Sequence, residues 1–208
     1  MKPNNDMPLD SIVEFSHLAS EWISMIENWC PEDWIQMMPD LDLEQPDRIL
    51  PARSLPVLSF LSQMEMQAPL SNQPFINRLN RIKADLHFNQ TYTVDDFGPE
   101  FLQQYGWIKL LGPDAYWLSD QLSSGFVFLG DNITYPKHRH EAEELYFPIS
   151  GTADWYHENY GWQSKSPGDR IAHASNIKHS MRTNGQPLLV LYIWRGGNLL
   201  QKSEIHDV

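Results

Sequence analysis

At 208 residues, with 41% apolar and 12% aromatic side chains, the chain can hold one domain with an extension and enough apolar mass for a core, which excludes global disorder. Its formal net charge of −12 and lack of any basic run argue against nucleic-acid binding, which needs clustered Lys and Arg opposite phosphate. The single cysteine, Cys30, excludes an internal disulfide and any cysteine-based metal motif, and reads as a buried or half-buried thiol.

The start, MKPNNDMPLD, carries no apolar export signal. The longest apolar run, LLVLYIW at 188–194, is too short to span a membrane and suits a buried strand. A soluble, cytoplasmic protein is expected. The first half reads as helical. In LDSIVEFSHLASEWISMIENWCP, Ile12, Phe15, Leu18, Ala19, Trp22, Ile23 and Ile26 recur at helical spacing, with Asp10 or Ser11 as cap and Pro31 as stop. Residues 40–52, acidic and proline-spaced, read as loop. A short helix is expected over 54–64, with Pro56 near its first turn. From Ser71 onward, Phe75, Leu79, Ile82 and Leu86 fall on one face, capped by Ser71 or Asn72. PEFLQQYG, 99–106, reads as a last short helix ended by Gly106.

The pattern changes near Gly112. Short β-rich runs follow: YWLSDQL, SGFVFLG, LYFPISG, TADWYHE, KHSMRT and LLVLYIW, divided by turn signals such as SPGD. Strands at this spacing predict a sandwich or small barrel. The expected division is a helical extension over 1–112, packed on the barrel or on a second subunit, and a β domain over 113–208.

The stretch YPKHRHEAEELYF, 135–147, places an unusual density of titratable groups where a core strand should begin. Side chains alternate along a strand, so His138 and His140 share a face, and Glu144 and Tyr146 join it if strand direction resumes after a bend. Glu141, Glu143, Leu145 and Phe147 take the other face. Two imidazoles and a carboxylate make a divalent-metal site with room for substrate. A further histidine would come from His173 or His179, which share parity, so spacing does not choose between them.

The pattern GDNITYPKHRHEAEELYFPISG followed by PGDRIAHASNIKHSM resembles the two motifs of the cupin superfamily: HxHxxxE closed by Gly151, then Pro167, Gly168 and a late His. The lead-in from Gly130 to His138 is two residues longer than the usual spacing. The resemblance covers about the last hundred residues and implies a mainly β fold, a C-terminal cupin (double-stranded β-helix, jelly-roll) barrel with an N-terminal α-helical extension. Within it, Tyr135, His138, His140, Glu144 and Tyr146, the phrase EELYFPISGTADWY and the helical extension resemble the cupin-type dimethylsulfoniopropionate (DMSP) lyases. That family implies one divalent transition metal (zinc, iron, manganese or nickel) held by His138, His140, Glu144 and His179. His138 is not a direct ligand in every member. It also implies Tyr146 as catalytic base and Tyr135 as a second active-site tyrosine.

The implied reaction splits DMSP, a small zwitterionic sulfonium carboxylate, into dimethyl sulfide and acrylate by β-elimination. Proton loss beside a carboxylate is the hard step, and a metal on that carboxylate eases it. Tyr146 acts as base only when ionised, which a nearby cation favours. A sulfonium has no N–H groups and is best held by aromatic faces, for which Trp155, Tyr160, Trp162 and Trp194 are candidates; Trp194 is preferred, then Trp155. His157 and His206 read as surface residues, and Lys137, Arg139 and Lys178 as solvated. A cupin iron(II) oxygenase, a related cupin acting on another small carboxylate, and a non-catalytic binding cupin are the alternatives. A homodimer paired through barrel faces is a further expectation.

Overall fold

Helix α1, Leu9–Trp29, turns one stripe inward and buries Phe15, Leu18, Ala19, Trp22, Met25 and Ile26. Its N-cap position is Pro8, not Asp10 or Ser11. Ser11 Oγ instead donates to Asp85 Oδ2 at 2.7 Å, and Asp10 lies in the first turn, where a negative charge suits the helix dipole. Pro31 follows the C-cap Cys30, whose N–H reaches Ile26 O. The computed structural model describes residues 7–206, so the reading of the first six residues lies outside it.

The rest of the helical half is short pieces. They are α2 (Glu32–Ile35), a 3₁₀ turn at Pro56–Phe60 running into α3 (Leu61–Gln67), α4 (Gln73–Ile82) and α5 (Val94–Gln103). Asn72 occupies the N-cap position of α4, but its side chain donates to Ile149 O at 2.9 Å across to the sheet. Helix α5 begins ahead of the expected Pro99. Thr93 and Asp96 form a reciprocal capping box, and the chain kinks at Gly98 (φ +76°) before Pro99.

Among the described residues eleven strands follow: β1 (Tyr105–Gly112), β2 (Trp117–Leu118), β3 (Leu122–Leu129), β4 (Thr134–Arg139), β5 (Glu143–Ser150), β6 (Ala153–His157), β7 (Gly161–Lys165), β8 (Ile171–His173), β9 (His179–Thr183), β10 (Leu188–Arg195) and β11 (Glu204–Ile205). They make a six-stranded sheet, β2-β1-β3-β10-β5-β8, and a five-stranded one, β11-β4-β9-β6-β7. This is the mainly β cupin barrel with an N-terminal helical extension. The sheet begins ahead of Gly112: Gly106 does not end a helix but pairs with Phe128 inside the β1–β3 ladder. YWLSDQL yields only the two-residue β2, parallel to β1.

Parity along the six-stranded sheet divides the protein into two cores. Phe126, Phe128, Leu145, Phe147, Leu189, Leu191 and Ile193 face the helices and pack with Phe15, Trp22 and Phe75. Val127, Leu129, Tyr146, Val190 and Tyr192 face the barrel interior with Tyr135, Trp155 and Met181. A sheet covered on both sides reads as a continuous apolar run, which is why LLVLYIW shows no alternation. Trp22 pins the layers together: its Nε1 donates to Ser124 Oγ at 3.1 Å, and Ser124 Oγ donates to Tyr192 O at 2.9 Å.

Candidate metal centre and its cavity

The parity argument holds for a reason the sequence does not display. Strand β4 belongs to the five-stranded sheet and β5 to the six-stranded one. The chain crosses between them at the bend 140–142. His138 and His140 on one side, and Glu144 and Tyr146 on the other, therefore meet across the barrel interior. All four are buried, with His138 and Glu144 each 1% exposed.

Three imidazoles are oriented alike. His138 Nδ1 lies 2.8 Å from Pro136 O, His140 Nδ1 2.9 Å from Ala142 O, and His179 Nδ1 2.9 Å from Ile177 O. A carbonyl oxygen only accepts, so each Nδ1 carries the proton and each Nε2 is left with its lone pair. The ligating atoms of these three residues all lie within 4.8 Å of one another. His140 Nε2 and His179 Nε2 stand 3.0 and 3.2 Å from Glu144 Oε2. Lone pairs facing a carboxylate oxygen at these distances call for a shared cation, and imidazole nitrogen with carboxylate oxygen is a donor set that first-row divalent metals accept. Carbonyl partners on the far ring nitrogens are the usual support for metal-binding histidines. The residues present therefore fit a metal.

Electrostatics follow from burial. Desolvation pushes the Glu144 carboxyl up, but when His140 and His179 are protonated their charge outweighs it and holds the carboxyl well below the usual carboxylate range. Burial, then His179, pushes His138 well below the ordinary imidazole value. Tyr146 is pushed well above the ordinary phenol value, by burial first and then by the Glu144 charge. Tyr135 is raised too, by burial and then by Tyr105 and Tyr92.

His179 stands against Glu144, whereas His173 lies behind it. The His173 ring stacks on His179 at 4.1 Å and 12°, both its nitrogens lack a hydrogen-bond partner among the described residues, and burial followed by His179 pushes it down to about 2. His157 is half-buried rather than at the surface, between Tyr160 at 4.6 Å and His173 at 5.4 Å. His206 is also half-buried, and its N–H donates to Lys137 O. Lys137, Arg139 and Lys178 are half-buried rather than solvated. Lys137 lies over the Tyr156 ring, and Arg139 pairs with Glu204.

A cavity of about 200 Å³ opens beside the cluster, with His138, Glu144 and Tyr146 in its wall. Of the aromatic candidates, Trp194 lines it. Trp155 packs on Tyr146 at 5.0 Å, and Trp162 lies under Arg182, neither of them in the cavity wall. Tyr160 is 70% exposed. Tyr135 lines the cavity too, and the remaining aromatic wall comes from Tyr105, Trp107 and Tyr192, which sequence reasoning missed. Tyr192 was legible, because it shares parity with Trp194 in LLVLYIW. Tyr105 and Trp107 were assigned to the wrong side of the boundary. Tyr92 was also missed: it comes from the helical half and places its hydroxyl 3.1 Å from that of Tyr135. Residues 199–203 line the cavity as well. Lys202 is paired to Asp96 at 3.0 Å and lies over the Tyr92 ring at 5.4 Å. Among the described residues no helix is long and apolar enough to cross a membrane.

Comparison with known proteins gives the same reading. The family model described as dimethylsulfoniopropionate lyase matches residues 32–190. The chain is 33% identical over 106 residues to the dimethylsulfoniopropionate lyase DddQ of Ruegeria pomeroyi, covering 51% of this chain and 53% of that protein. It is 29% identical over 96 residues to the putative dimethylsulfoniopropionate lyase DddL of Cereibacter sphaeroides, covering 45% and 40%. The matches thus span about half the length of these curated relatives or less. Among solved structures, a chain from the crystal structures of the DMSP lyases RdDddP and RnDddQII superposes with a TM-score of 0.80 at 28% identity, over 95% of this chain and 98% of that one. DddQ from Ruegeria pomeroyi DSS-3 shares the fold with a TM-score of 0.78 at 24% identity, over 93% and 96%. Since the family match takes in both the cluster and most of the helical half, the chain belongs to the dimethylsulfoniopropionate lyase family.

Proposed function

We propose that this cavity cleaves DMSP to dimethyl sulfide and acrylate, with a divalent transition metal (zinc, iron, manganese or nickel) held by His138, His140, Glu144 and His179. The observation that carries the reading is the set of inward imidazole lone pairs facing Glu144 beside a buried tyrosine, in a cavity with aromatic walls. A divalent cation bound there supplies Lewis acidity for a substrate carboxylate and positive charge beside Tyr146.

The chain's own residues do the rest. Tyr146 takes the proton from the carbon next to the carboxylate. The electron pair left behind forms the C=C bond, the C–S bond breaks, and dimethyl sulfide leaves with its electrons, giving acrylate. Burial and Glu144 hold the Tyr146 phenol well above its ordinary value, so ionisation as a base depends on added positive charge at the cluster. Tyr135, hydrogen-bonded to Tyr92, stands as the second active-site hydroxyl. The faces of Tyr105, Trp107 and Tyr192 suit a dimethylsulfonium, which offers no N–H to bond.

The test is direct. Protein loaded in turn with zinc, manganese, iron or nickel is given DMSP without oxygen, and headspace dimethyl sulfide is measured. Gas release is expected with at least one metal, and none with any metal would sink the lyase reading. Tyr146→Phe should lower the rate by about 10²–10⁴-fold with metal content unchanged, and a wild-type rate removes Tyr146 from the base role.

A further inference from the structure

We propose that Trp194 is a positioning residue for the metal centre, and that it restricts Glu144 to offering one carboxylate oxygen. The inference rests on reading the His140–Glu144–His179 cluster as a metal site. Trp194 and Glu144 are direct cross-strand partners on β10 and β5. The indole Nε1–H donates to Glu144 Oε1 at 2.5 Å, while Glu144 Oε2 is the atom that faces His140 and His179. The two oxygens are thus given different tasks by different neighbours.

The same indole also covers His140, with ring centroids 4.1 Å apart and planes at 32°. One side chain therefore fixes two members of the cluster, Glu144 by its N–H and His140 by its face. Glu144 is 1% exposed, so Oε1 depends on the donors packed around it. Without the indole N–H the carboxylate is free to turn and present both oxygens inward. Its position at the cavity wall makes Trp194 look like a sulfonium contact, but its polar atom is spent on the ligand.

The experiment separates the N–H from the ring. Wild type, Trp194→Phe, Trp194→Leu and the surface control Trp162→Phe are loaded with cobalt(II). Affinity is read by competition with a chromophoric chelator, and coordination by the visible d–d bands. Loss of an outer hydrogen bond to a metal ligand commonly costs 10–100-fold in metal affinity. Trp194→Phe is therefore expected to weaken cobalt binding by about 10-fold and to lower band intensity as the second carboxylate oxygen joins. Trp194→Leu, which also uncovers His140, is expected to weaken binding further, and Trp162→Phe to leave both readouts unchanged. Should Trp194→Phe fail to fold, 3-benzothienylalanine placed at position 194 by stop-codon suppression keeps the bicyclic shape and removes the donor. Unchanged affinity and spectrum in either replacement overturns the proposal. Absence of cobalt binding by wild type instead overturns the metal reading beneath it.

Discussion

His173 is a buried imidazole whose two nitrogens have no hydrogen-bond partner among the described residues, and this makes its effect on stability calculable. Burial, and then the neighbouring His179, hold it down to about 2 in the folded chain, against about 6.5 when unfolded. The unfolded chain therefore takes up a proton as pH falls through about 6.5, and the folded chain does not until about 2. Stability from this group is complete above about 6.5 and is lost progressively between there and about 2. A single such group costs RT ln(1 + 10^(pKa − pH)), so moving from pH about 7 to about 5.5 removes about 1.3 kcal/mol. His173→Phe cannot titrate and should lose that much less over the same interval. Burial also lowers His138 and His157, but both proteins keep these, so they cancel in the comparison. Urea unfolding of the two proteins at both pH values, with a chelator present, measures the difference. An equal loss of stability in both proteins would refute the assignment of His173 as a neutral buried group.

Other substitutions probe other layers. Gly125→Ala should lower stability by about 1–3 kcal/mol or more in a thermal melt, because its Cβ would sit 2.0 Å from Ile108 O in the β1–β3 ladder. Tyr92→Phe, which removes the hydroxyl 3.1 Å from Tyr135, should cut kcat for dimethyl sulfide release by roughly 10-fold, the loss of about one hydrogen bond, without changing metal content. Lys202→Met breaks a half-exposed pair with Asp96 and a contact over Tyr92. It should change stability by less than about 1 kcal/mol while raising KM, since it loosens a segment that lines the cavity.

The cluster was legible because its residues are close in sequence and share parity. His138, His140, Glu144 and Tyr146 needed only an alternation rule and a bend, and the motif resemblance supplied His179. The rest depended on contacts that no local pattern encodes. His173 and His179 have the same spacing parity, and they separate only because β8 pairs beside β5 while β9 pairs beside β4. Tyr105 and Gly106, which open the strand at 105–112, read as the end of a helix over 99–106, because Gly106 looks like a helix stop. In the structure Gly106 lies against the side chains of Leu55 and Val57, where a Cβ would meet Leu55 Cδ1 at 2.6 Å. Asn72 and Ser11 have the chemistry of caps, yet tertiary partners, Ile149 and Asp85, claim their side chains. Local propensity gave way to long-range hydrogen bonds in both cases.

The helical extension and the site form one construction. The six-stranded sheet is apolar on its outer face, with Phe126, Phe128, Phe147 and Leu191 all buried under helices, so the barrel could not stand in water without that cover. The inner face of the same strands holds Tyr146, Tyr192, Glu144 and Trp194 at the site. Alternation along β5 and β10 thus couples the two: a shift that uncovered Phe147 or Ile193 would move Tyr146 and Trp194 as well, because they sit on neighbouring residues of the same strands. The extension also reaches the cavity residues directly, through Tyr92 on Tyr135 and through Asp96, paired to Lys202 in the cavity wall. Its packing contribution and its contribution to the site cannot be separated by cutting at Gly112, because β1 lies ahead of that division and pairs with β3 beyond it.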